Sequence, residues 1–189
     1  GGGTERVVSL LANTYVDRGY EVAILSFAGS QQAYALDERI ETLSAGGPSG
    51  GSLGVRLRRL LFMRDYFRRN RDCIIFSFST IGTGFIVLST LFHKRRMLVS
   101  ERSDPGAYDK KRYRDFFYGF ADCLVCQTEE AIRCFPKHLQ KKARVIGNPV
   151  DAALPPRFMG TRSKRIVTAG RLEAVKNHKM LIEAFALFA

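Results

Sequence analysis

Short apolar runs alternate along this chain with longer stretches in which apolar positions recur every three or four residues. The runs at 21–27 (EVAILSF), 73–78 (CIIFSF), 96–100 (RMLVS), 123–127 and 143–146 have the length and bounding residues of buried strands. A further short strand is predicted at 40–43. The three-to-four spacing predicts helices beginning after Thr4 and over 53–69, 81–92, 108–120 and 129–135. A glycine-rich loop, 46–54, interrupts the alternation. Strands separated by helical crossovers predict an α/β fold, a doubly wound and mostly parallel sheet covered on both faces.

The texture changes after Ile146. Gly147-Asn148-Pro149-Val150-Asp151 and then Pro155-Pro156 can form neither regular helix nor interior strand. A new strand is predicted at 165–169, running through Gly170-Arg171-Leu172 into a helix over 177–188 that is apolar at Leu181, Ile182, Phe185 and Phe188. The expected organisation is a first domain over 1–147, a linker over 148–163 and the start of a second α/β domain over 164–189. One strand and one helix cannot cover their own apolar faces, so the second domain is expected to be truncated here. Gly1-Gly2-Gly3 feeds directly into a helical pattern, which suggests a strand-to-helix loop whose central first strand is missing. An appended leader is the competing reading.

Charge alters the picture. Lys plus Arg number 30 against 18 Asp plus Glu, a net +12, which favours anionic partners: nucleic acid, acidic lipid or phosphorylated substrates. The excess is concentrated. Segment 56–71 carries Arg56, Arg58, Arg59, Arg64, Arg68, Arg69 and Arg71 against Asp65 alone, and 110–114 carries Lys110, Lys111, Arg112 and Arg114. Both mix cations with large apolar residues. In the first, Leu57, Leu60, Leu61, Met63 and Phe67 fall within one broad helical sector. An anionic membrane surface is the expected partner of these two segments, with a core-facing helix edged by solvated arginines as the plain alternative. The longest uncharged apolar stretch, 81–92, is too short to span a bilayer.

Three places could carry chemistry. Gly2 and Gly3 let backbone approach a ligand at the start of a helix, whose free N–H groups suit an anion. Arg171 and Lys176 flank a predicted helix start, where two cations suit a diphosphate leaving group; a solvated loop capped by Asn177 is the other reading. Glu101, Arg102 and Asp104, in Ser100-Glu101-Arg102-Ser103-Asp104-Pro105, offer carboxylates and a guanidinium to a hydroxyl-bearing substrate, or simply pair within a polar turn. Cys123 and Cys126 lie three apart on a predicted strand and so face opposite ways, which argues for reduced core cysteines rather than a metal grip. The chain has no Asp-x-Asp, Walker loop, complete dinucleotide fingerprint, His-Glu-x-x-His or nucleophile elbow.

Several of these segments resemble one family in order and spacing. Gly2-Gly3-Thr4-Glu5-Arg6-Val7-Val8 with Arg18-Gly19-Tyr20-Glu21-Val22 is similar to the opening of the retaining glycosyltransferase family 4. The turn at 100–105 resembles one in its capsule, O-antigen and glycan-assembly branch, and 146–151 resembles its interdomain hinge, centred on Asn148 and Pro149. Thr168-Ala169-Gly170-Arg171-Leu172, Lys176-Asn177 and Leu181-Ile182-Glu183-Ala184-Phe185 resemble the start of its donor domain. The resemblance implies the GT-B architecture, two Rossmann-like domains. It implies a nucleotide-sugar donor bound at its diphosphate by Arg171 and Lys176, with Gly2 and Gly3 approaching from the other wall. It also implies no cofactor or catalytic metal, and a hexose or N-acetylhexosamine moved with retention onto a hydroxyl of a glycan or polyprenyl-linked acceptor. Two departures stand out: the family's paired-glutamate motif is absent, and Glu101-Arg102 stand where many relatives carry His. The expected setting is the cytoplasm, peripheral at the inner face of the plasma membrane and without nucleic acid. The fragment itself is expected to be inactive. A non-enzymatic basic module binding RNA or an anionic surface is the second reading, and a nicotinamide-binding protein a distant third.

Overall fold

The computed structural model describes residues 2–27, 34–46, 52–91, 93, 95–149, 157–161 and 163–188. Gly1, residues 47–51 of the glycine-rich loop, and 150–156 and 162 of the expected linker lie outside them. The chain divides into two compact units, Gly1–Val150 and Asp151–Ala189.

The first unit alternates helices and strands. In chain order it contains α1 (Gly3–Asp17), β1 (Ala23–Ser26), β2 (Glu41–Ser44), α2 (Leu53–Arg69), β3 (Ile74–Ser77) and α3 (Thr80–Ser89). There follow β4 (Arg96–Ser100), α4 (Lys111–Tyr118), β5 (Cys123–Cys126), α5 (Glu129–Arg133), α6 (Lys137–Gln140) and β6 (Ala143–Val145). Every ladder is parallel, and α3, α4 and the α5–α6 pair supply the crossovers of the larger sheet. The fold is α/β and Rossmann-like. Its backbone ladder is not one sheet, however: β1 pairs with β2, and β3-β4-β5-β6 form a separate four-stranded sheet. Side chains join what hydrogen bonds do not. Leu25 and Phe27 from the β1 segment pack against the core of the larger sheet, and the Tyr15 ring lies 5.8 Å from that of Phe76.

The inner strands carry the core. On β4 and β5 alternate residues are buried, Met97 and Val99 on one and Leu124 and Cys126 on the other, and they share a core with Phe117 of α4, Leu139 of α6 and Phe135 from the turn between α5 and α6. Cys123 and Cys126 stand at opposite phases of β5 and all four cysteines are free thiols. Helix α3 is apolar on nearly all sides because it packs between α2 and α4. Gly84 makes the second contact possible, since a Cβ there would sit 2.5 Å from the Tyr113 hydroxyl. Helix α4 is shorter than the predicted 108–120. It ends where the Lys142 ammonium takes the carbonyls of Gly119 and Ala121, at 2.8 and 2.6 Å.

Among its described residues the second unit holds a 3-10 turn at Ala174–Lys176 and α7, His178–Phe188. The strand expected at 165–169 does not form. Those residues have no neighbouring strand among the described residues to complete a ladder, and Ile166 and Val167 stay exposed.

Candidate functional site

In parallel sheets the residues just past the carboxyl ends of the strands face the ligand side. Here those positions are polar after three consecutive strands. Behind β3, Ser79 caps α3 by accepting the Gly82 N–H, and the Ser77 and Thr83 hydroxyls lie 2.8 Å apart. Behind β4 comes the turn that begins with Glu101, and behind β5 come Gln127 and Thr128.

Glu101 is buried and organises the turn that contains it. Its Oε1 accepts the N–H groups of Arg102 and Ser103, both at 3.1 Å, and the Ser103 hydroxyl at 2.7 Å. Its Oε2 accepts the Tyr118 hydroxyl at 3.2 Å, and that hydroxyl lies 3.1 Å from Thr80 Oγ1. Four donors satisfy the two oxygens, as burial of so polar a group requires. Burial, reinforced by the Glu101 charge, pushes the Tyr118 phenol well above its ordinary value, so it remains a donor. The same two causes push the Cys126 thiol up to about 11.

A second set of bonds connects this turn to the start of the expected linker. The Arg102 guanidinium donates to Asn148 Oδ1. Asn148 Nδ2 donates to Gln127 Oε1 at 2.7 Å, and Gln127 Nε2 returns to the Arg102 carbonyl at 3.1 Å. Burial lowers the Arg102 pKa from its ordinary value. Asp104 is exposed and folds back to accept the Gly106 N–H at 2.8 Å. The three acceptor-side candidates thus share one turn with distinct tasks: Glu101 braces it from inside, Arg102 ties it to Asn148, and Asp104 faces outward. Pro149 lies beside Asn148, exposed.

Arg114 pins the far end of the turn. It is fully buried and donates to the Pro105 carbonyl at 2.8 Å, and its guanidinium lies over the Phe135 ring at 4.2 Å. Its Nε donates to Asp115, while Nη2 lies 2.8 Å from the same oxygen without hydrogen-bond geometry. Arg59 is buried too, donating to the Gly46 carbonyl with its guanidinium 5.3 Å from the Phe27 ring centre. These two cations therefore cannot reach a lipid surface, which corrects the assignment of the whole of 56–71 and 110–114 to that role. Their charge is used inside the fold.

Gly2 and Gly3 are exposed at the start of α1, and a Cβ on either would meet nothing within 4 Å. The Glu5 carboxylate reaches back to the Gly2 N–H at 2.7 Å, occupying the place an anion would take. In the second unit Arg171 is exposed and paired with Glu173 at 2.9 Å, so an incoming anion would exchange with that carboxylate. Lys176 is exposed at the end of the 3-10 turn, immediately before Asn177, whose left-handed backbone (φ 47°) leads into α7. A shallow depression of about 420 Å³ beside them is lined by Leu172, Glu173, Ala174, Asn177, His178 and Lys179.

Thr80, Tyr118 and Gln127 are not among the candidates read in the sequence, and Arg114 is read there only as a membrane-facing cation. Thr80 and Gln127 were accessible in principle, as polar residues just past a buried strand. Tyr118 and Arg114 were not, because their partners come from other elements.

Fold and site together define a Rossmann-like α/β protein whose polar residues gather behind the strand ends. The family model Glycosyltransferase Family 4 matches residues 1–154, and the chain belongs to that family. Among solved structures it is similar to the crystal structure of Anabaena Alr3699/HepE in complex with UDP and glucose. The TM-score is 0.57 at 17% identity, covering 79% of this chain and 42% of that one. The likeness concerns the fold, and this chain spans less than half of that protein. No curated protein matches it. No helix among the described residues is long and apolar enough to cross a membrane.

Proposed function

We propose that this chain is part of a transferase that moves a hexose or N-acetylhexosamine from a nucleoside-diphosphate sugar onto a hydroxyl, with retained configuration. The observation that carries the proposal is the family match over residues 1–154. Similarity to a structure holding UDP and glucose supports a nucleotide sugar as donor. In this reading the Glu101–Asp104 turn belongs to the acceptor side. Its internal bracing by Tyr118 and Arg114 keeps Asp104 and the Ser103 region in one place, so that little entropy is lost on binding. Arg171 and Lys176 take the donor diphosphate, whose charge grows as the glycosidic bond to it breaks. At the α1 terminus, beside Gly2 and Gly3, an anion would displace the Glu5 carboxylate from the Gly2 N–H. The acceptor is a glycan on a polyprenyl carrier, as in polysaccharide assembly, and the enzyme works peripherally at an anionic cytoplasmic membrane face.

The test is a panel of nucleotide sugars offered to the whole enzyme with polyprenyl-diphosphate glycans. Anomeric configuration is read by NMR. Retained linkage is the expected result. An inverted product overturns the stereochemical part, and absence of transfer from every donor overturns the class.

A further inference from the structure

The outward face of α2 holds apolar and cationic residues in an order the core does not explain. Arg59, Met63 and Phe67 turn inward, so the apolar sector read from the sequence is divided by the fold. On an exposed side of the helix Leu53, Leu57 and Leu61 are 82%, 54% and 56% exposed. Spaced four apart, they form one ridge spanning about 12 Å of helix. Arg64 and Arg68, also exposed, fall on the same side by helical phase, and Arg58 stands at its flank. An apolar ridge left in solvent marks a contact surface rather than ordinary decoration.

We propose that this face of α2 docks on an anionic lipid bilayer, the leucines entering the acyl boundary and the arginines meeting lipid phosphates. Charge and chemistry choose this occupant. Six exposed arginines, Arg56, Arg58, Arg64, Arg68, Arg69 and Arg71, against Asp65 alone match an extended anionic surface. Nucleic acid would be met by arginine with stacking aromatics, and the ridge has none. A bilayer boundary accepts both components at once, because arginine stems lie along apolar surface while their heads reach the phosphates. The proposal deepens the reading of a lipid-carried acceptor and rests on it only for its purpose. Vesicle binding is measured without donor or acceptor, so a failure of docking and a failure of sugar transfer are seen separately.

The experiment is co-sedimentation of the 189-residue chain with phosphatidylcholine vesicles containing none or about 30% phosphatidylglycerol. Binding is expected on the anionic vesicles only, and is expected to fall at least severalfold when salt is raised to about 0.5 M. Leu57→Ser with Leu61→Ser should lower the partition coefficient about tenfold or more. Arg64→Gln with Arg68→Gln should lower it and flatten its dependence on salt. All four positions are exposed, so thermal unfolding should be unchanged and would confirm folded variants. Equal binding by the leucine variant overturns the proposal. So does loss of binding only on Phe116→Ser with Phe120→Ser, which would place the contact on α4. Equal affinity for neutral vesicles, tight binding to single-stranded RNA, or concentration-dependent self-association through the leucines would each overturn it as well.

Discussion

The two units of this chain contain the same kinds of residue in the same alternation and differ in what those residues touch. In the first, Val99, Leu124 and Leu139 have no exposed surface, because parallel neighbours and packed helices surround them. In the second, no residue of α7 is buried, and Leu172, Leu187 and Phe188 are almost wholly exposed. Apolar periodicity states what a segment needs and leaves open whether it is supplied. A strand takes its ladder from its neighbour, so residues 165–169 remain irregular where the equally apolar β4 is regular.

The sharpest way to break this contrast is by truncation on each side of it. Leu124→Ala should cost about 3–5 kcal/mol of unfolding free energy in urea titrations, as for a fully buried leucine. Leu187→Ala should change it by less than about 0.5 kcal/mol. Similar costs would mean that α7 is as well supported as β5. Next in size, Arg171→Ala or Lys176→Ala in the whole enzyme should lower kcat/KM by about a hundredfold, as for a lost charge-stabilising group. Stability should be unaffected, since both side chains are exposed. Near wild-type turnover by both variants would remove the second unit from the donor site. Smaller again, Tyr118→Phe should destabilise by about 1–3 kcal/mol by taking a donor from buried Glu101. Thermal melts would read it, and an unchanged midpoint would show that the turn does not depend on this brace. The least effect is chemical. Exposed Cys134 should alkylate readily near pH 8, while Cys126, buried and held up to about 11, should not. The unfolded thiol ionises nearer 9, so Cys126 favours the native state fully below about 9 and loses that contribution as pH rises to about 11.

Much of the fold could be read from periodicity. The helix predicted over 53–69 is α2 residue for residue, and the strand at 96–100 is β4. These segments are long or strongly apolar enough to declare themselves locally. What stayed illegible depends on partners distant in sequence. Nothing near Arg59 or Arg114 distinguishes them from their exposed neighbours. Each is buried because a carbonyl and an aromatic ring, Gly46 with Phe27 or Pro105 with Phe135, arrive from elsewhere. The site shows the same division. The 100–105 turn announces itself by composition, whereas the hydroxyl of Tyr118 and the amide of Gln127 join it only through tertiary packing.

The four-stranded sheet pairs its strands in the order in which they are made. Ile74 meets Arg96, Leu98 meets Cys123 and Leu124 meets Ala143, so each ladder closes over a single crossover. Parallel pairing always demands a crossover, and this order keeps the separation near the least such a sheet allows. Loop closure then costs little more at one step than at the next, and folding speed follows mean sequence separation. A chain leaving the ribosome can therefore add β4 to β3, β5 to β4 and β6 to β5 without waiting for a distant segment. The growing edge is, at each moment, the one the next strand is about to cover, while the outer edge of β3 carries no strand among the described residues.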